Sequence, residues 1–168
     1  MIIGISGTRK GLTEAQSISI IQYLTSLRSQ HEYLELHHGD CIGADENVHI
    51  VCIENKLVNK IIIHPPTNSS LRAYTENITA NDITIEVTED KDYLERNKDI
   101  VNMATIIIVC PKNADEELRS GTWSVYRTAK KQNKTIGLIT PDGKIEMWPN
   151  DEMARKLLKK LHKNKTKN

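Results

Sequence analysis

Short apolar runs alternate with amphipathic stretches along this chain, and that alternation constrains the fold more than any other feature. Ile2 to Ile5, Tyr33 to His37, Lys60 to His64, Thr105 to Cys110 and Thr135 to Ile139 have the length and composition of buried strands. Ile83 to Val87 alternates apolar and polar residues, as a half-exposed or edge strand does. Thr105 to Cys110 is the most continuous apolar run and suits a strand covered on both faces. Helical patterns fall between the runs. Thr13 precedes Gln16 by three residues, a capping box that starts a helix at Glu14, with Ile18, Ile21, Leu24 and Leu27 as its apolar face. Further helices are expected over Ala44 to Lys56 (Val48, Val51 and Cys52 inward), Asp92 to Asn102, Gly121 to Gln132 and Asp151 to His162. Lys144 to Trp148 reads as a last short strand after a Pro141-Asp142-Gly143 turn, and residues 67 to 82 fit no regular element. Strand followed by helix, repeated, predicts an α/β single domain: a mostly parallel sheet with right-handed crossovers and helices on both faces.

At 168 residues the chain suits one domain, expected over residues 1–150, followed by a basic helix and tail over 151–168. The net charge of +1 conceals an asymmetry. Seven basic and no acidic residues lie from Arg155 to Asn168, leaving 16 basic and 22 acidic side chains before them, a net of −6. A mildly acidic body with 4% aromatic residues is a poor platform for a nucleic-acid backbone or stacked bases, so nucleic acid is expected only through the tail. No apolar stretch approaches the roughly 20 residues of a membrane span, and the start Met1-Ile2-Ile3-Gly4 lacks the marks of a signal peptide. Cys41, Cys52 and Cys110 are too few for a disulfide framework, so a cytoplasmic location is expected. Lys outnumbers Arg 16 to 7 and Ile is abundant, as in AT-rich genomes, which is compatible with a phage or mobile-element origin.

In parallel sheets ligands bind beyond the carboxyl ends of the strands, where helix N-termini point N–H groups outward. Four loops are expected there. The first, Gly4-Ile5-Ser6-Gly7-Thr8-Arg9, offers small residues, hydroxyls and a guanidinium that can fork onto a phosphate or carboxylate, or it is simply a tight turn. It lacks the dinucleotide and P-loop glycine patterns. The second runs from Gly39 and Asp40 through Cys41, Gly43, Ala44 and Asp45 to His49. Cys41, Asp45 and His49, with His37 or His38, admit a metal reading, but no closed zinc spacing is present, and no metal or cofactor is expected. Asp45 is expected to accept from ligand hydroxyls or to cap the helix. The third is Glu95-Arg96-Asn97, with Arg96 either a surface cation or a phosphate clamp. The fourth, Ser120-Gly121-Thr122-Trp123, places hydroxyls and a glycine at a helix N-terminus, an anion seat, with Trp123 stacking on a base or packing inward.

In this order the four loops resemble the SLOG superfamily, the Rossmann-like group that includes DNA-processing protein A and the Lonely Guy phosphoribohydrolases. The resemblance runs from about Met1 to Gly143. Gly4 to Arg9 resembles its first nucleotide loop, Gly39 to His49 its Gly-x-x-x-Gly-x-Asp-x-x-x-His segment, and Arg96-Asn97 the pair before its central strand. Ser120-Gly121-Thr122 resembles its glycine-threonine loop. His64-Pro65-Pro66, Arg72 and Pro141-Asp142-Gly143 look most like small stand-alone members related to YspA and YpsA.

The resemblance implies a Rossmann-like fold and a nucleotide or nucleotide-derived ligand, ADP-ribose-like or a signalling nucleotide. Ser6, Gly7, Thr8, Arg9, Gly39, Asp40, Gly43, Ala44, Asp45, Arg96, Asn97, Ser120, Gly121, Thr122 and Trp123 are the implied binding residues. It also implies pairing into a homo-oligomer. The glutamate of the Lonely Guy motif is replaced by Val125, which cannot stabilise an oxocarbenium-like centre or activate water. Binding, as a sensor or by sequestration, is therefore expected ahead of N-glycosidic hydrolysis by a carboxylate from another loop (Asp40, Asp45 or Glu95). Single-stranded DNA binding of the DNA-processing type is a further alternative.

Overall fold

The computed structural model describes residues 1–150 and, beyond them, Glu152, Arg155, Lys156, Leu158, Lys159 and Leu161. The strands are β1 (Ile2–Gly7), β2 (Glu35–His38), β3 (Lys60–Ile63), β4 (Thr84–Val87), β5 (Ile106–Cys110), β6 (Thr135–Ile139) and β7 (Ile145–Trp148). The helices of residues 1–150 are α1 (Glu14–Arg28), α2 (Ala44–Asn55), α3 (Tyr93–Met103) and α4 (Gly121–Lys131). The expected helix over Asp151 to His162 and the basic tail fall largely outside the described residues. Of those described, Leu161 is buried in the core and Leu158 packs against it.

The sheet has the order β4-β3-β2-β1-β5-β6-β7. Every neighbour pair is parallel except β6 and β7, which run antiparallel, Ile136 opposite Trp148. The chain begins at β1, winds outward through β2 to β4, then crosses back so that β5 pairs with the other edge of β1, Gly7 opposite Cys110. Connections on either side of the β1–β5 boundary therefore diverge, and the carboxyl ends of these strands open a crevice there.

Period-two alternation divides β5 between two cores. Ile106, Ile108 and Cys110 join Ile20, Tyr23, Leu24, Val48 and Cys52 under α1 and α2. Ile107 and Val109 join Val101, Ala104, Trp123, Val125 and Ala129 under α3 and α4. The sheet is covered on both faces, which explains why all of β5 is buried.

The capping box at α1 is present: Thr13 accepts from the Gln16 N–H, and the Gln16 side chain accepts from the Thr13 N–H. The inward face of α1 differs from expectation. Ile18 is 48% exposed, and the buried stripe is Ile20, Tyr23, Leu24 and Leu27, with Gln16, Ser19 and Ser26 buried beside it. The rotation follows from where polar partners are needed. Gln16 Nε2 donates to the carbonyls of Pro111 and Ile139, and Ser19 Oγ donates to that of Gly143. Buried Gln16 thus joins α1 to the ends of β5 and β6. The irregular 67–82 segment contains short 3-10 turns at Ser69–Leu71 and Thr75–Asn77.

Gln16→Ala strands these carbonyls and the Thr13 N–H inside the protein. It is expected to lower unfolding free energy by about 2–4 kcal/mol in chemical denaturation, and a loss within measurement error would contradict this role.

Candidate functional site

At the carboxyl ends of β1, β2 and β5, one small cleft is lined by Ser6, Gly7, Arg9, Gly39, Asp45 and Asn97, with Cys41, Tyr93 and Arg96. Its free volume is about 30 Å³, about enough for a single water. Side chains already fill much of the crevice. Arg96 is 3% exposed. Its Nη1 lies 3.5 Å from the His64 carbonyl and 3.9 Å from Asp45 Oδ2, and its Nη2 lies 3.4 Å from Cys41 Sγ. Arg96 Nε is buried with no partner. Gly39 is required beneath it: a β-carbon there would lie 1.3 Å from Arg96 Nη1.

Asp45 holds the second loop rather than capping its helix. Asp45 Oδ2 accepts from the N–H groups of Gly39 and Cys41 at 3.1 and 3.2 Å. The N-cap of α2 is Gly43, at a φ of 103° and with no side-chain cap. Burial raises the Asp45 carboxyl pKa, opposed by Arg96 and the two N–H donors. Burial and Asp45 likewise raise the Cys41 thiol, so Cys41 is a neutral wall of the cleft.

Asp40 has a different role. It is fully buried and held at a φ of 54°. Its carboxylate accepts from Arg72 Nε at 2.6 Å and from the N–H and Oγ1 of Thr75 at 3.0 and 2.7 Å. With its oxygens committed to the 72–75 loop, Asp40 is a brace and is not among the residues that line the cleft. Trp123 also departs from the ligand-facing alternative. It is 3% exposed and packs edge-to-face on Tyr126 in the α3–α4 core. Val125 lies in the groove between α3 and α4 with Leu94 and Asn97.

Thr8 and Ala44 sit behind the cleft wall, where the Thr8 N–H donates to the Cys110 carbonyl and the Ala44 N–H to the Thr8 carbonyl. Ser120 caps α4, accepting from the Trp123 N–H. Gly121 and Thr122, at the first turn of α4, have N–H groups with no acceptor among the described residues. Tyr93 stands between this turn and the cleft. Its ring lies 5.9 Å from the Arg9 guanidinium carbon and 5.3 Å from that of Arg96. A β-carbon on Gly121 would lie 1.5 Å from the Tyr93 hydroxyl oxygen. The sequence reading missed Tyr93. Its signal was the three-residue spacing to Arg96, which puts both on one helix face.

Histidines support the second loop from below. The Asp40 N–H donates to His38 Nδ1, so His38 carries its proton on Nε2 and donates to His49 Nδ1, 3.0 Å away. His49 Nε2–H then donates to the Ile78 carbonyl at 2.8 Å. On the other face His64 Nε2 meets His37 Nδ1 at 2.9 Å, and His37 Nε2 meets Glu35 at 2.7 Å. Among the described residues, no group of three or more His, Cys, Asp or Glu is arranged to hold a metal ion.

No family model and no curated protein matches the chain. Among solved structures it is similar to DNA processing protein A from Streptococcus pneumoniae, at 15% identity over 81% of this chain and 49% of that one, with a TM-score of 0.58. It is also similar to the molybdenum cofactor binding protein from the phototrophic bacterium Rippkaea orientalis, at 19% identity over 97% and 85% of the two chains, with a TM-score of 0.56. TM1055, a structural genomics target, aligns at 12% identity over 80% and 71%, with a TM-score of 0.52. The fold shared with these structures is Rossmann-like. At these identities the likeness is one of architecture, and the chain spans about half the length of the DNA-processing structure. Among the described residues, no helix is long and apolar enough to cross a membrane.

The histidines set the acid sensitivity. Burial holds His38 and His49 below their ordinary value and pushes His64 down to about 4. Between the unfolded value of about 6.5 and the folded values, the unfolded chain binds more protons, so stability falls as pH falls. The raised Asp45 acts in the opposite sense in the acid range. Melting temperature is therefore expected to drop from pH 7 to pH 5; a flat profile there would count against neutral buried histidines.

Proposed function

We propose that this protein binds a small phosphorylated ligand, a nucleotide or nucleotide derivative such as an ADP-ribose-like or signalling nucleotide, in the cleft between β1 and β5. Its role is that of a sensor or sequestering protein. The observation that carries this reading is the incompletely compensated positive charge of the cleft, which sets two guanidiniums against the one carboxylate of Asp45. Arg9 makes no ion pair among the described residues, and Arg96 has only the 3.9 Å contact with Asp45 and an unpartnered Nε. A buried guanidinium whose carboxylate contact is as long as 3.9 Å favours an anionic guest, since burial strengthens its attraction for that guest. The open N–H groups at the first turn of α4 add to the same field. The likeness to a molybdenum cofactor binding protein accords with a ligand-carrying role for this architecture. The binding cleft is formed within residues 1–150, into whose core Leu161 of the basic 151–168 segment packs, and the unit works as a homo-oligomer.

A second reading rests on Asp45, the carboxylate that lines the cleft. Its raised pKa suits a general acid in N-glycosidic hydrolysis, in place of the motif glutamate that Val125 replaces. The TM1055 likeness carries no chemistry by itself.

Calorimetric titration with adenine and guanine nucleotides, cyclic nucleotides and ADP-ribose tests the first reading. At least one ligand is expected to bind, and Arg9→Ala should weaken it by about tenfold with melting temperature unchanged. No binding to folded protein at millimolar ligand sinks the reading. The second predicts free base from nucleoside monophosphates by chromatography, abolished in Asp45→Asn. Binding without base release rejects it.

A further inference from the structure

We propose that Tyr93 is the specificity-determining residue of the cleft, a displaceable occupant of the space beside the α4 N-terminus that only a ligand bearing an anionic group expels. The inference rests on the binding reading and names what the site selects: the phosphorylated over the unphosphorylated form of the same molecule.

The argument begins with Gly121. Its missing side chain is where the phenol hydroxyl sits, since a β-carbon there would be 1.5 Å from that oxygen and 2.7 Å from the ring carbon bearing it. The N–H groups of Gly121 and Thr122 lie at the same turn without acceptors, and the hydroxyl does not bond to them or to any other described group. Tyr93 therefore closes this turn by shape while leaving its donors unsatisfied. Such a contact is weakly held. An anion that accepts both N–H groups gains hydrogen bonds that the phenol does not provide.

The flanking charges add a second bias. The ring lies near two guanidiniums, those of Arg9 and Arg96, and only one of these has even a distant carboxylate. The ring face screens two like charges from each other, a cation–π arrangement worth little where Arg9 is exposed. A phosphate between the same guanidiniums is attracted far more strongly than the ring is. Tyr93 is also the first residue of α3, preceded by the Asp92 N-cap, so its side chain can turn outward without disturbing the helical hydrogen bonds. An uncharged nucleoside gains neither the N–H bonds nor the guanidinium contacts and leaves the phenol in place.

The test uses AMP and adenosine as probes on the full chain and its Tyr93→Ala and Tyr93→Phe variants, by calorimetry. Tyr93→Ala is expected to bind AMP roughly tenfold more tightly than the wild type, the shift for a closed state holding about nine-tenths of the population. Adenosine affinity should not change. Tyr93→Phe keeps the bulk of the plug and should resemble the wild type. Equal or weaker AMP binding by Tyr93→Ala overturns the proposal, because the ring would then be a passive wall or a platform for the base. Tighter binding of adenosine and AMP alike also overturns it, as simple enlargement of the cleft. If none of the three proteins binds AMP or any other nucleotide of the panel, the cleft reading itself falls and the selectivity with it.

A ligand-free measurement separates these failures. Gly121→Ala should destabilise the wild type, while the same change in a Tyr93→Ala background should cost much less. Additive effects of the two substitutions would show that the hydroxyl does not occupy the Gly121 position, and would overturn the proposal whatever the ligand results.

Discussion

Burying a guanidinium costs several kcal/mol unless its charge and its N–H groups are met, and the geometry around Arg96 follows from that cost. The glycine at position 39 admits the guanidinium, the His64 carbonyl and the Cys41 sulfur meet its donors at long range, and Asp45 stands 3.9 Å away. The buried Asp40 carboxylate of the same loop shows what full compensation of one group looks like. Asp40 meets Arg72 at 2.6 Å, Arg72 continues to Glu76 at 2.8 Å, and Thr75 donates twice to the remaining carboxylate oxygen. Adjacent loop positions thus carry opposite designs. The Asp40 carboxylate is met at both oxygens and holds the chain in shape, whereas Arg96, which lines the cleft, keeps an unpartnered Nε.

Neutral histidines make this contrast possible. Charged side chains beneath the second loop would compete for Asp40 and Asp45 and change the balance at Arg96. Instead, His38 and His49 pass hydrogen bonds in one direction, from the Asp40 N–H to the Ile78 carbonyl, without adding charge. They tie β2, α2 and the irregular 67–82 segment together, so a stretch with almost no regular structure is still fixed against the sheet. The cleft wall is rigid because its supports are directional, and it remains cationic because they are uncharged.

Much of the architecture was legible in the sequence because it depends on local pattern. The apolar run ending at Cys110 is buried along its length, and the Thr13–Gln16 capping box starts α1 where the spacing placed it. The exposed Ile18 shows where pattern fails. The inward face of α1 was decided by loop carbonyls near residues 111, 139 and 143, and buried Gln16 and Ser19 carry no apolar signal. The same holds in the site. Asp40 and Asp45 are alike in sequence, and only the distant Arg72 and Thr75 distinguish brace from cleft wall. Trp123 was legible as an aromatic at a helix start, but the direction of its ring depends on Tyr126 and the α3 contact. Tyr93 matters because Gly121, 28 positions away, lacks a side chain. No local pattern records that complementarity.

The placement of charge bears on the size of ligand this fold can accept. The body carries 22 acidic against 16 basic side chains, and Glu89, Asp90, Asp92 and Glu95 fall in the segment that leads into the first turn of α3. A polyanion that extends beyond the cleft meets a body of net negative charge. A single phosphate group does not, because mobile ions screen charges beyond about 8–10 Å in physiological salt, while Arg96 acts from within the low-dielectric interior at close range. The distribution that repels a nucleic-acid backbone is therefore compatible with attraction of a small anion. The net negative body also disfavours nonspecific polyanions at Arg9, the exposed guanidinium of the cleft, so that charge works in favour of a selective cationic cleft rather than against it.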